Sequence, residues 1–339
     1  MNRPDTRNFA TLIFALSMGI GVLQPRATAA EPFAGIRRVV FLGDSITYSG
    51  QYIEDVETYL RLKSPGFKCE FLDLGLPSET VSGLSEPGHA GGAFPRPTLH
   101  ERLDRVLAKT KPDMIIACYG MNDGIYYPFG EERFKAYQDG ILLLREKAKA
   151  AGARVLHVTP PPFDAVPIKS RTLPAGLAEY KQPYEGYDDV LDRYSEWLVS
   201  KRADGWDVVD IHTPLRKHLD EARTRDPKFR LAGDGVHIDS TGHWLIAREL
   251  LRYWKVLDPK DEKAEAAGPV FDAMPQGAEV WKLVQRRQRV LKDAWLNAVG
   301  HKRPGMTKGV AVEEAEKQAS AIDEQIRLRL SSGAQSSKQ

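Results

Sequence analysis

The sequence predicts an α/β fold: a parallel sheet with helices on both faces. Apolar runs that read as strands alternate five times with segments of helical spacing, the pattern of repeated strand–helix units. Val39-Val40-Phe41-Leu42 and Met114-Ile115-Ile116-Ala117-Cys118 are unbroken apolar stretches, as fully buried strands are. Two long loops, 75–97 and 160–183, each follow a strand, and ligands of such sheets bind outside the carboxyl ends of the strands.

In chain order, 37–42 reads as the first strand and stops at Gly43. Residues 52–62 form a helix through the spacing of Ile53, Val56, Tyr59 and Leu60. A second strand spans 67–74. A helix follows at 98–109, with Leu99, Leu103, Val106 and Leu107 on one face. The third strand is 114–119, the next helix 131–150 and the fourth strand 153–158. A helix over 188–201, a fifth strand over 206–211 and a closing helix over 240–253 complete the unit. Residues 31–258 therefore form the main domain. Beyond Pro259 the character changes to a helical extension, 259–339. It holds an amphipathic helix over 279–299, bearing Trp281, Val284, Leu291 and Trp295, and a last helix over about 312–330. Residues 331–339 read as a frayed tail.

The chain has 339 residues, 28% charged and 42% hydrophobic, which excludes a disordered chain and a multi-span membrane protein. Lys and Arg total 48 against 46 Asp and Glu. Arg3, Arg7 and Arg26 face only Asp5 in residues 1–30, so the rest of the chain is neutral overall. No bulk charge is available for nucleic acid or an anionic membrane. Arg3 and Arg7 precede an uncharged run from Phe9 to Leu23, shorter than the roughly 20 residues of a spanning helix. Small residues follow at 27–30. Residues 1–30 read as a cleaved secretory signal peptide or, failing cleavage, an anchor; either exports the rest, to the periplasm or outside the cell. With the signal removed, no stable membrane insertion is expected. Cys69 and Cys118 both lie in predicted strands and read as free, buried thiols. Neither Cys-x-x-Cys nor His-x-x-x-His occurs, so no metal is expected.

Three local patterns carry chemistry. Of eight histidines, His237 alone has an aspartate three residues before it, in Asp234-Gly235-Val236-His237. A carboxylate there can fix an imidazole's tautomer, although a surface histidine at a helix-entry turn has the same pattern. Gly43-Asp44-Ser45 places a hydroxyl at the end of the first strand, where a helix start favours negative charge; a plain helix cap would look alike. Gly120-Met121-Asn122-Asp123 ends the third strand, and Asn122 could donate to an oxyanion or simply form a turn. Together, the three supply the residue types that acyl transfer needs.

In these blocks and their order the chain resembles the SGNH (GDSL-type) hydrolases over about residues 36–256, and among them the exported bacterial members. The family's second block, a segment like Asn-x-x-x-x-Gly-x-Thr, corresponds to Asp73-Leu74-Gly75-Leu76-Pro77-Ser78-Glu79-Thr80, which puts Ser78 at the oxyanion glycine. Gly75 is a second candidate for that amide. The resemblance implies a flavodoxin-like three-layer α/β/α sandwich with strand order 2-1-3-4-5. That order would hold Cys69 and Cys118 two strand spacings apart, beyond disulfide reach. It also implies ester hydrolysis through an acyl-enzyme, without cofactor. Ser45 would be nucleophile, His237 base and Asp234 its orienter. Ser45, Ser78 and Asn122 would form the oxyanion hole, and Asp44, Gly75, Asp123 and Tyr126 the substrate rim.

The substrate is expected to be a small-molecule or glycan ester. Polar loops with Phe94, Tyr126, Tyr127 and Trp244 nearby suit an acetylated carbohydrate better than a lysophospholipid or thioester, Trp244 itself reading as core. A non-catalytic glycan-binding module would have lost a triad member, and none is lost. The 279–299 stripe should dock on the main domain or on a second subunit. The segment His301-Lys302-Arg303-Pro304-Gly305 either only ends that helix or reaches the active-site rim.

Overall fold

The computed structural model describes Met1 and residues 31–64 and 66–336; the expected signal peptide, beyond Met1, lies outside them. The elements are β1 (Arg38–Gly43), α1 (Ser45–Ser49), α2 (Gln51–Lys63), β2 (Glu70–Asp73), α3 (Leu99–Thr110), β3 (Met114–Cys118), α4 (Glu131–Ala150) and β4 (Arg154–Val158). Then come α5 (Tyr187–Ser200), β5 (Asp207–Val209), α6 (His212–Arg225), α7 (Ser240–Tyr253), α8 (Ala267–Asp272), α9 (Gly277–Val299) and α10 (Val312–Ser336).

The strands form one parallel sheet in the order β2-β1-β3-β4-β5. All five residues of β3 are buried, as its unbroken apolar run requires. Helices cover the sheet in two groups. In one, α2 packs against α7 and α9; in the other, α3 lies on α4, and α4 meets α5 through stacked Tyr137 and Tyr194 with ring centroids 4.4 Å apart. Cys69 and Cys118 are free and buried.

Four elements differ from the expectation. The one-turn helix α1 is too short for a periodic signal. The helix α6 has no counterpart in the expected elements, because only Leu215, Leu219 and Ala222 mark its buried apolar face within a largely charged segment. The strand β5 ends at Val209, and α10 runs on to Ser336, past the expected start of the tail.

The extension docks on the main domain. Leu291, Ala294, Trp295, Leu296 and Val299 belong to the same apolar core as β1 and β2, and Arg38 lies over the Trp295 ring. A smaller cluster of Val280, Val284, Ile322 and Ile326 joins α9 to α10. Gln288 of α9 donates from its side-chain amide to the Phe71 carbonyl of β2 at 3.1 Å, and to Glu57 of α2 at 2.5 Å. At the far end of α9, Lys109 and Arg105 of α3 donate to the carbonyls of Ala298 (2.5 Å) and Val299 (2.7 Å), and Arg105 also to Gly300 (3.2 Å). Cations at the carboxyl end of a helix satisfy its orphan carbonyls and complement its dipole. Among the described residues, no helix is long and apolar enough to cross a membrane.

Candidate active site

The site is built where β1, β2 and β3 end. Gly43 closes β1 so tightly that a Cβ there would meet Thr47 Oγ1 at 2.2 Å and the Cys118 carbonyl at 2.7 Å. The chain then turns at once into α1. Asp44 caps that turn by accepting from the Ile46 amide at 2.9 Å, and Ser45 opens the helix with an amide that has no hydrogen-bond partner among the described residues.

The Asp234–His237 turn faces it. Asp234 Oδ1 accepts from the amides of Val236 (3.0 Å) and His237 (2.8 Å), and its Oδ2 lies 2.7 Å from His237 Nδ1. His237 Nε2 is 2.8 Å from Ser45 Oγ. Residues 45, 234 and 237 thus form one hydrogen-bonded chain of hydroxyl, imidazole and carboxylate. Partial burial would raise the Asp234 carboxyl, but the His237 ring and the two amides outweigh it and hold the carboxyl below its ordinary range. The His237 and Asp234 side chains are 54% and 50% exposed, so this chain of groups lies open at the surface.

Three groups in the segments that follow these strands keep unused donor capacity. One is the Ser45 amide. A second is the Ser78 amide, also without a partner among the described residues. Leu76 donates to the Gly43 carbonyl at 2.9 Å, which carries residues 76–78 along the end of β1 beside Ser45. The third is Asn122. One hydrogen of its Nδ2 goes to the Glu79 carbonyl at 3.2 Å, its Oδ1 accepts from Tyr126 at 3.1 Å, and the other Nδ2 hydrogen has no partner among the described residues. Gly75 is not an equal candidate, because its amide donates to Asp73 Oδ1 at 2.9 Å.

The expected rim needs correction. Asp44 and Asp123 are 3% and 0% exposed, and Gly75 is buried; only Tyr126 is partly exposed. Asp44 serves as the α1 cap. Asp123 Oδ1 accepts from the amides of Val81 and Ser82, both at 2.8 Å, which ties the 75–97 loop to β3. Burial pushes Asp44 up to about 7. Asp123 adds to that rise; the Ile46 amide, His237 and Arg96 oppose it. Burial also raises Asp123, to about 6, against the Ser82, Val81 and Gly120 groups that donate to it. Trp244 is core, its indole donating to Ala264 at 2.8 Å.

Several supports were not evident from the sequence. Beneath Ser78, Glu79 is buried in a bidentate pair with Arg102 (2.6 and 2.7 Å) and accepts from Tyr119 at 2.7 Å. Arg102 was hidden on the apolar face of α3. Arg96 forms a similar fork with Glu86 and lies over the Tyr126 ring. Arg223 of the unexpected α6 grips Asp164 at 2.6 and 2.8 Å, and the Asp164 amide donates to the Gly235 carbonyl at 2.9 Å. Gly235 has φ +83°, and a Cβ there would strike the Asp164 carbonyl, so the turn that carries His237 needs glycine. Among the described residues, no group of three or more His, Cys, Asp or Glu is placed to hold a metal.

Comparison with known proteins gives one family: residues 41–245 match the GDSL-like lipase/acylhydrolase family. No match was found among curated proteins. Solved structures with similar folds include the acetylxylan esterase Axe2 from Geobacillus stearothermophilus, in a catalytic mutant (18% identity, 66% of this chain and 97% of that one, TM-score 0.48). Another is the acetyl xylan esterase AlAXEase (18% identity, 63% and 98%, TM-score 0.45). A third is BT4096, a gut microbial diltiazem-metabolizing enzyme (23% identity, 64% of this chain, TM-score 0.48); this chain spans 46% of its length.

Proposed function

We propose, because the chain belongs to the GDSL-like lipase/acylhydrolase family, that Ser45, His237 and Asp234 are the catalytic triad of this serine ester hydrolase. The observation that carries the assignment is the unbroken hydrogen-bond chain from Ser45 Oγ through His237 to Asp234. His237 Nε2 accepts the Ser45 proton as Oγ attacks the ester carbonyl carbon. Asp234 holds the imidazole with Nε2 toward the hydroxyl and stabilises the imidazolium that forms. The oxyanion takes the amides of Ser45 and Ser78 and the unused hydrogen of Asn122. Collapse of the tetrahedral adduct passes the proton from His237 to the leaving alcohol. Water, deprotonated by His237, then attacks the acyl carbon, and as the acyl–Oγ bond breaks His237 returns the proton to Ser45 Oγ and the acid is released.

The ester we assign to this site is an O-acetyl group on a carbohydrate. Its support is the openness of His237 and Asp234, together with the polar character of the flanking 75–97 loop, where Glu86, His89 and Arg96 interlock. A short acyl group needs no deep apolar channel, and a large polar alcohol can remain in water. The same reading places the protein outside the cytoplasm, on the strength of residues 1–30.

A fluorophosphonate probe should label the protein at Ser45. A panel of acetylated xylan, p-nitrophenyl acetate to palmitate, and lysophosphatidylcholine should show the highest kcat/KM on acetyl esters. Preference for palmitate or lysophosphatidylcholine would overturn the substrate, and absence of labelling at Ser45 would overturn the triad.

A further inference from the structure

Arg303, from the segment that follows α9, donates from Nε to the Pro77 carbonyl at 2.9 Å. Pro77 precedes Ser78 in a four-residue turn closed by the Glu79 amide on the Leu76 carbonyl at 3.0 Å. With proline second and a residue at φ +68° third, this turn is of type II. The alternative, type I, differs by a flip of the central peptide unit, here Pro77–Ser78. That unit is trans, so its C=O and N–H point opposite ways. Flipping it would exchange the directions of the Pro77 carbonyl and the Ser78 amide. Glycine suits the third position of type II and serine does not; a side chain there favours the flipped form.

We propose that Arg303 is a positioning residue for ester hydrolysis: by holding the Pro77 carbonyl it keeps the Pro77–Ser78 peptide in the orientation that offers the Ser78 amide to the oxyanion. The proposal rests on the oxyanion role assigned to Ser78 above. The guanidinium is itself fixed. It donates to the Pro304 carbonyl at 2.9 Å, touches Met306 Sδ at 3.3 Å and lies over the Phe94 ring at 5.5 Å. Its segment is anchored by the grip of Arg105 on Val299 and Gly300. Lys292 of α9 donates to the Tyr48 carbonyl of α1 at 2.7 Å, so the extension holds both the helix that starts at Ser45 and the turn that bears Ser78. Where the related pattern has a glycine to set this turn, the present chain has a serine and an arginine.

The test is a double-mutant cycle on p-nitrophenyl acetate hydrolysis, with Arg303→Met as the single change because its stem still covers Phe94. Arg303→Met should lower kcat by about tenfold with KM within about twofold, since an oxyanion donor acts only in the transition state. In the Ser78→Gly background, where the turn no longer needs the arginine, the same change should lower kcat by less than about twofold. Arg303→Lys, which keeps a donor and a charge, should recover part of the loss. Wild-type kcat in a folded Arg303→Met protein would overturn the proposal, and so would an equal loss in both backgrounds. Failure of the triad reading is separately visible, as activity that survives Ser45→Ala.

Discussion

Ser45 sits 2.8 Å from His237 across 192 residues of chain, and its hydroxyl is the only atom in that contact that an alanine would remove. Ser45→Ala should therefore lower p-nitrophenyl acetate hydrolysis by about four to six orders of magnitude while the thermal midpoint stays near wild type. Activity within tenfold of wild type would remove Ser45 from the mechanism. Asp234→Asn should cost about four orders, because an amide facing Nδ1 favours the wrong tautomer. At this scale the hydroxyl, the His–Asp pair and Asn122 were legible because each lies in a short local pattern. The burial of Asp44 and Asp123 was not: charged residues are exposed by default, and in these two backbone amides hold one carboxyl oxygen each, Oδ1. Arg303 meets Pro77 across 226 residues, a contact with no local pattern to announce it.

Elements hold these residues in place through a few buried polar contacts. The Glu79–Arg102 pair joins α3 to the loop that bears Ser78, with both side chains almost fully buried. Removing one partner strands a charge, so Arg102→Met should lower unfolding stability by about 3–5 kcal/mol in urea titrations, and should lower kcat as well. A loss under 1 kcal/mol would show that the loop finds another anchor. The helix α9 packs Leu291, fully buried, into the core beneath β1 and β2. Leu291→Ala should cost about 2–5 kcal/mol. It should shift the whole cooperative transition, whether followed by fluorescence or by activity; two separated transitions would mean that the extension unfolds alone. The stripe of α9 was readable from its spacing, whereas α6 was not, because three apolar positions among charged ones give a weak period.

For the whole molecule, the buried carboxyls make stability depend on pH. Burial pushes Asp73 up to about 7, against Lys292 and the Gly75 amide, from an ordinary value of 3.8. The native protein then holds a proton that the unfolded chain has already released. Its share of stability is complete below about pH 4 and is lost as pH rises through about 7. An asparagine can accept from the Gly75 amide without titrating. Asp73→Asn should therefore gain stability relative to wild type between pH 5 and pH 8, read as a difference in urea midpoints; a difference that stays constant would refute the shift. The strand order, which the family resemblance implied and the alternation of apolar runs alone could not, puts β1 between the strands that carry or adjoin the two thiols. Both thiols should react with a thiol reagent only after denaturation, and burial raises both, Cys69 to about 12.

The Gln288 amide on the Phe71 carbonyl has a further consequence, for how copies of the molecule behave toward one another. The strand β2 lies at the border of the sheet, where unpaired peptide groups would recruit strands from neighbouring molecules. Gln288 occupies one of those carbonyls, and α9 lies across the strand. The extension thus acts as a chemical cover against intermolecular pairing. A Gln288→Ala protein should reveal this in light scattering, clouding on mild heating at a lower temperature than wild type even where its catalytic rate is untouched.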